Sequence, residues 1–332
     1  MKTLLLTDKE IKPLLSIEEA MKAVEKAFEE KGLGYAQMPP KPYLFFKKYE
    51  GDLRVMPSYL ERIDVSAVKV VNSHPNNPSL YGLPTVMATI ILIDPRNGAP
   101  LAVMGGAYIT AMRTGAAGGI AAKHLARKDS KVIGLVGAGA QARTQLAALV
   151  SLYKELEEVR VWSRTKNTME TFTFEMKELH GEEVTRIYTV DSVKKSVEGS
   201  DIVVTTTPSR KSIVSDEWVS EGTHFNCIGA DAPGKEEIDH AILKRAKIVV
   251  DDWEQSSHGG EINVPLAKGL IKKEDVWGDI CEIAAGLKAG RVSRDEVTVF
   301  TSTGMAIQDA VTAKIVYEKA ISQNVGQFIQ LV

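Results

Sequence analysis

The spacing of apolar and polar positions changes character along the chain. The opening stretch MKTLLLTDKEIKPLL carries a short apolar run that charges soon interrupt, which predicts a first strand. No small-residue cleavage site follows it, as a signal peptide would require. Residues 16–31 repeat apolar side chains at close to 3.6 positions behind a Ser cap with acids after it, the pattern of an amphipathic helix. A loop with Pro39 and Pro40 comes next. Short runs at 53–56, 65–71, 85–93 and 101–104 read as strands, and Asp94-Pro95-Arg96-Asn97-Gly98 between the last two is a hairpin signal. This first section is expected to be α+β with an antiparallel sheet. Residues 106–127 read as a helix rich in small side chains, among them Ala111, Gly115, Ala116, Gly118, Gly119 and Ala121, which suits close packing against another backbone.

From Lys131 strands and helices alternate. Nearly continuous apolar runs at 131–136, 159–162, 202–206, 224–229 and 247–250 are separated by helical stretches, as for parallel strands buried on both faces. Such alternation predicts an α/β fold with a Rossmann-type, doubly wound parallel sheet. The long helix expected over 304–321 follows that sheet and is expected to return to the first section. The predicted organisation is therefore a discontinuous α+β domain over 1–125 and 305–332 and a Rossmann-type domain over 126–304.

Composition narrows the function. The chain has 332 residues, 44% hydrophobic and 25% charged, enough for two packed domains and inconsistent with disorder. Forty-one basic against 43 acidic residues leave a net charge of -2, which argues against bulk attraction to nucleic acid or an anionic membrane. No stretch reaches the roughly 20 apolar residues of a membrane span. Two cysteines, Cys227 and Cys281, cannot build a disulfide framework and suit a reducing, cytoplasmic compartment. Sparse Asn and Gln beside plentiful Lys and Glu lean towards a heat-loving source.

The most specific motif is Gly137-Ala138-Gly139-Ala140-Gln141-Ala142, directly after an apolar strand and opening a helix. Gly137 permits the tight turn, Gly139 lets backbone approach a pyrophosphate, and Ala142 allows close helix–strand packing. Free N–H groups at the helix start would hold the phosphates. The next strand ends in Ser163-Arg164-Thr165, without the acid that normally receives the ribose 2′-hydroxyl of NAD. Arg164 can pair with a 2′-phosphate, favouring NADP(H), or stack on adenine and accept both. The expected cofactor is NADPH or NADH.

Other chemistry is confined to a few polar residues. The six His have no metal-ligand spacing with Cys, and no serine elbow or Cys–His signature stands out. Cys227 fits a buried strand. Arg54 and Lys69, however, interrupt apolar strands, and Arg113 lies in the small-residue helix. A buried cation is costly unless paired or bound to an anion. Each alone reads equally as a structural salt bridge; three together before a dinucleotide fold suggest a pocket for a small carboxylate. Asp231 falls at the carboxyl edge of the parallel sheet, where ligands sit in such folds, and can act as acid or base or simply cap a turn.

Over nearly its whole length the chain resembles the ornithine cyclodeaminase and mu-crystallin family. The marks are Lys69-Val-Val-Asn72-Ser-His74-Pro75, Gly82-Leu-Pro-Thr85, Ala111-Met-Arg113-Thr114, the glycine motif, and Gly229-Ala-Asp231-Ala-Pro-Gly234-Lys235. The resemblance implies a homodimer joined through the substrate domains, with the active site in each chain's interdomain cleft. It implies Arg54, Lys69 and Arg113 on the substrate carboxylate with Thr85 nearby, Asp231 and Lys69 as catalytic groups, and Thr114 with the glycine motif and residues 163–165 on the cofactor. Asp231 separates the chain from mu-crystallin-like binding proteins. Ser163-Arg164-Thr165 is similar to the NADP-binding, imine-reducing branch, whereas cyclodeaminases carry an aspartate there. The first expectation is NAD(P)H-dependent reduction of a cyclic imino acid, 1-pyrroline-2-carboxylate to L-proline. Ornithine cyclodeaminase, an alanine-type dehydrogenase and a non-catalytic dinucleotide-dependent binding protein follow.

Overall fold

A computed structural model describes residues 2–331. The chain divides into two compact units, one made of residues up to Arg113 together with those from Met305 onward, the other of 114–304.

The first unit is built on a mixed sheet. Its spatial order runs Gln327–Gln330, Lys2–Leu6, Pro100–Gly105, Val86–Ile93, Val65–Ser73, Gly51–Leu60, Ala36–Gln37, with Tyr43–Phe46 also paired to Gly51–Leu60. All pairs are antiparallel except one: Lys2–Leu6 runs parallel to Pro100–Gly105. That parallel pair departs from the purely antiparallel expectation, because the first strand reaches the sheet from the chain start rather than through a hairpin. The hairpin at 94–98 forms as expected. Asp94 takes the Arg96 guanidinium at 2.8–2.9 Å, and Gly98 adopts φ 75° to close the turn.

Strand Val65–Ser73 alternates so that Val65, Ala67, Lys69 and Val71 are buried. Lys69 thus occupies a position where the strand period calls for an apolar side chain. The helix Ala306–Gln323 packs on strands Gly51–Leu60, Val65–Ser73 and Val86–Ile93 and on helix Ile17–Gly32. Met56, Val71 and Ala306 form a small apolar core there, with Met38 and Ala88 against it. The unit therefore combines both ends of the chain.

The second unit has a wholly parallel sheet of eight strands. Their order is Val184–Thr189, Leu156–Trp162, Val132–Val136, Ile202–Thr205, His224–Cys227, Thr298–Thr301, Lys247–Val250, Val276–Asp279. Three strands lie beyond the runs legible in the sequence, Val184–Thr189, Val276–Asp279 and Thr298–Thr301. Val184–Thr189 is an edge strand with only two buried positions, and Thr298–Thr301 is short but lies inside the sheet. Chain order reverses on either side of Val132–Val136, so the glycine motif stands at a topological switch point, the usual ligand position in such sheets. Cys227 and Cys281 are buried.

The division between units falls at 113/114, inside helix Ala107–Leu125, rather than after it at 125/126. The cause is the glycine surface of that helix. A Cβ on Gly118 would stand 1.9 Å from Gln145 Oε1, and one on Gly115 2.5 Å from the Thr144 carbonyl oxygen. The last three turns of the helix are thus fitted against helix Ala140–Leu152, which is the close packing its small residues predict.

Candidate active site

In the first unit the sheet and the carboxyl-terminal helix bring charge together in a dry setting. Lys69 is 1% exposed and Arg113 6%. Both point at one carboxylate, Asp309: Lys69 Nζ lies 2.7 Å from Oδ2 and Arg113 Nε donates to Oδ1 at 3.1 Å. Lys69 also donates to Thr110 Oγ1 at 3.4 Å, and Arg113 Nη1 donates to Gln308 Oε1 at 2.9 Å. Two cations sharing one carboxylate leave a surplus positive charge. Burial first, and then the Arg113 charge, push the Lys69 ammonium down to about 7, while Asp309 opposes them. Lys41 adds a further repulsive charge from the neighbouring loop. A buried surplus cation is stable only with an anion at hand, so this group is fitted to receive a carboxylate.

Gln308 was not anticipated, and neither was Asp309. The Gln308 carbonyl accepts from Arg113 and from the Met305 N–H at 3.1 Å, which fixes the orientation of its amide. Its Nε2 is then a buried donor with no acceptor among the described residues. Such a donor beside a surplus cation again suits an oxygen-bearing ligand. The signal for Asp309 was present: a lone acid among small and apolar residues in GMAIQDAVTAK.

Arg54 is placed differently. It lies opposite Val71, two pairs along from Met56 opposite Lys69, so it shares the Lys69 face of the sheet. Its guanidinium is held by Asp52 through Nε at 3.0 Å and Nη2 at 3.2 Å, and it sits over the Tyr43 ring at 5.2 Å. It is thus a compensated cation at the edge of the cluster. Thr85 stands in the bend before strand Val86–Ile93, its carbonyl accepting from His74 N at 2.8 Å. Among the described residues its hydroxyl makes no hydrogen bond to the three cations. The structure therefore joins Lys69 and Arg113 through their shared carboxylate, Asp309.

In the second unit three neighbouring parallel strands end on one edge at Val136, Thr205 and Cys227. Gly137 turns there with φ 115°, a region that glycine alone enters freely, and its N–H donates to the Trp162 carbonyl at 2.8 Å. A Cβ at Gly137 would stand 2.4 Å from Thr206 Oγ1, whereas at Gly139 it would meet nothing within 4 Å. Gly139 caps helix Ala140–Leu152 and has no side chain to satisfy the first-turn N–H groups. Ala138 and Ala142 are buried, while Gly139 and Ala140 are exposed and Gln141 is half-buried. Thr206 Oγ1 is a buried hydroxyl beside this turn with no partner among the described residues. An open glycine, uncapped N–H donors and an idle hydroxyl together fit a dinucleotide pyrophosphate.

The loop Ser163-Arg164-Thr165 follows strand Leu156–Trp162, and Arg164 and Thr165 are exposed. Thr165 caps the next helix without a side-chain bond. Thr114 is buried and its carbonyl accepts from Gln145 Nε2 at 2.8 Å, which fixes that turn of helix Ala107–Leu125. Asp231 lies four residues past the third strand. It is 38% exposed, with Lys235 Nζ 2.5 Å from its Oδ1. Among the described residues no group of three or more His, Cys, Asp and Glu could hold a metal ion, and no helix is long and apolar enough to cross a membrane.

A family model described as ornithine cyclodeaminase/mu-crystallin matches residues 1–324. The chain is 53% identical to an alanine dehydrogenase of Archaeoglobus fulgidus over 99% of both chains. It superposes with TM-score 0.95 on an archaeal alanine dehydrogenase dimer with bound NAD, at 52% identity and full coverage of both. It superposes with TM-score 0.94 on the Δ1-pyrroline-2-carboxylate reductase of Thermococcus litoralis in complex with NADH and L-proline, at 41% identity, covering 98% of this chain and 100% of the other.

Proposed function

Since the chain belongs to the ornithine cyclodeaminase/mu-crystallin family, we propose that it is an NAD(P)H-dependent oxidoreductase that reduces the C=N bond of a small 2-imino acid. The observation that carries this reading is the buried, surplus positive charge of Lys69 and Arg113 around Asp309, in a chain that also offers an open glycine turn. The first unit supplies the carboxylate clamp. Lys69 and Arg113 receive the substrate carboxylate, and Arg54 borders the same face. A carboxylate so held fixes the adjacent imine carbon, and orientation of this kind is worth several powers of ten in rate.

Residues Gly137, Ala138, Gly139, Ala140, Gln141 and Ala142 hold the dinucleotide pyrophosphate, and Thr114 lines the cofactor. Bound NAD(P)H supplies the hydride. Arg164 pairs with the 2′-phosphate of NADPH, while NADH uses the same turn without that contact. Asp231, held by Lys235, provides or steadies the proton on the imine nitrogen. Lys69 lies close to neutrality at about 7 and shares that role. An already protonated imine needs little further acid, so positioning dominates. We place the protein in the cytoplasm as a homodimer.

Two substrates meet these requirements. The cyclic imine 1-pyrroline-2-carboxylate, giving L-proline, is supported by the likeness to the Thermococcus litoralis reductase. The open-chain imine of pyruvate, giving alanine, is supported by the 53% identity to the Archaeoglobus fulgidus dehydrogenase. The test is to follow NADH and NADPH absorbance with 1-pyrroline-2-carboxylate, and separately with pyruvate plus ammonium. Oxidation with either supports imine reduction and the faster one names the substrate. No oxidation with both would overturn the reading.

A further inference from the structure

Two buried carboxylates lie under the carboxyl edge of the parallel sheet, and the chemistry above does not use them. Glu237 and Glu261 are 0% and 1% exposed. Glu237 stands on the short strand Glu236–Ile238, to which the chain returns after the Asp231 loop. Its Oε1 accepts from the Thr207 N–H at 2.6 Å and the Thr207 hydroxyl at 2.7 Å. Its Oε2 accepts from the Thr205 hydroxyl at 2.7 Å and the Gly229 N–H at 2.9 Å. Four donors from two loops thus converge on one carboxylate.

Glu261 lies behind it. One of its oxygens accepts from the Glu237 and Ile238 N–H groups at 2.7 and 2.8 Å, and the other has no partner among the described residues. Burial and the neighbouring Glu237 push the Glu261 carboxyl well up. Burial pushes the Glu237 carboxyl up as well, and the four donors from Thr205, Thr207 and Gly229 oppose that shift. Gly229 is fitted to the same group. A Cβ there would stand 2.2 Å from the Thr207 carbonyl oxygen and 2.6 Å from Glu237 Oε2.

We infer that Glu237 is a positioning residue: by tying residues 205–207 to Gly229 it sets where Asp231 stands and holds Thr206 against the glycine turn. Asp231 is two residues beyond the anchored Gly229 N–H, and its own N–H donates to the Gly229 carbonyl at 3.1 Å. Thr206 is flanked by both anchored threonines, and its N–H donates to the Val136 carbonyl at 2.9 Å. A carboxylate is needed rather than an amide. Each oxygen faces one backbone N–H, which cannot turn to accept, so a Gln would set its NH2 against Thr207 N or Gly229 N.

This inference rests on the imine-reductase reading for its kinetic arm only. In that arm, Glu237→Gln is compared with wild type in the wild-type and Asp231→Asn backgrounds. The expected result is a kcat at least tenfold lower, with KM for NADH and for the imino acid within about twofold, and a less than twofold further loss in the Asp231→Asn background. A kcat unchanged by Glu237→Gln, or an equal loss in both backgrounds, would overturn the inference. The second arm needs no substrate. Amide hydrogen exchange at Thr207 and Gly229 should speed up at least a hundredfold in Glu237→Gln, while strand His224–Cys227 keeps its protection. Unchanged protection at both amides would overturn it. If Glu237→Gln does not fold, Thr207→Val removes one hydroxyl donor at constant charge and is read in the same two ways. A wild-type chain inert towards both imines would overturn the function alone, because the exchange arm still decides the role of Glu237.

Discussion

Replacing Lys69 by Met separates the stability cost of the buried ammonium from its use. In the wild type its affinity for a proton falls from 10.5 to about 7 on folding, through burial and the charge of Arg113. That displacement corresponds to roughly 5 kcal/mol. The folded state binds the proton more weakly than the unfolded chain, so the penalty is complete below about pH 7 and vanishes as pH rises towards 10.5. Met has nearly the same volume and no proton, and Arg113 still neutralises Asp309. Urea unfolding followed by far-ultraviolet circular dichroism should therefore show wild type gaining on Lys69→Met by roughly 2 kcal/mol between about pH 7 and pH 9. Lys69→Met should also lower kcat/KM for the imino acid about 10- to 100-fold, since a charged hydrogen bond to a carboxylate contributes about 1.5–3 kcal/mol. A stability difference flat with pH, or a kcat/KM within about threefold of wild type, would refute the reasoning.

The remaining predictions concern the other groups of the two units. Asp309→Asn leaves two buried cations without their shared anion, and should cost about 3–5 kcal/mol in urea unfolding, unlike Lys69→Met. Gly139→Val should fold normally, because nothing stands within 4 Å of a Cβ there, yet weaken NADH binding by about tenfold or more in a fluorescence titration. Arg164→Ala should raise KM for NADPH well above its effect on NADH; equal effects would remove the 2′-phosphate contact.

Much of this was legible in the residues, and the exceptions have physical causes. The dinucleotide unit announced itself because its glycine motif must follow a strand and open a helix, and strand and helix periods say where those are. Lys69 and Arg113 stood out because a cation on an apolar face violates the pattern. Asp309 obeys the same rule, but it lies nearly 200 residues from Arg113, and pairing over that distance is set by how helix Ala306–Gln323 docks on the sheet. Arg54 looked equivalent to Lys69, yet Asp52 two residues earlier points to the same side of the strand and neutralises it. Strand Val184–Thr189 was hidden because an edge strand exposes most of its side chains. Glu237 and Glu261 gave no signal, since acids within a polar stretch read as surface until the fold buries them.

The central claim is that a carboxylate held by Lys69 and Arg113 presents its neighbouring carbon for hydride transfer. NADH deuterated at the transferable C4 position tests it directly, with the product of 1-pyrroline-2-carboxylate or of pyruvate and ammonium examined by mass spectrometry and proton NMR. One deuterium bound to the carbon next to the carboxylate is the expected result. A product with deuterium elsewhere or with none, formed while the cofactor is oxidised, would contradict it.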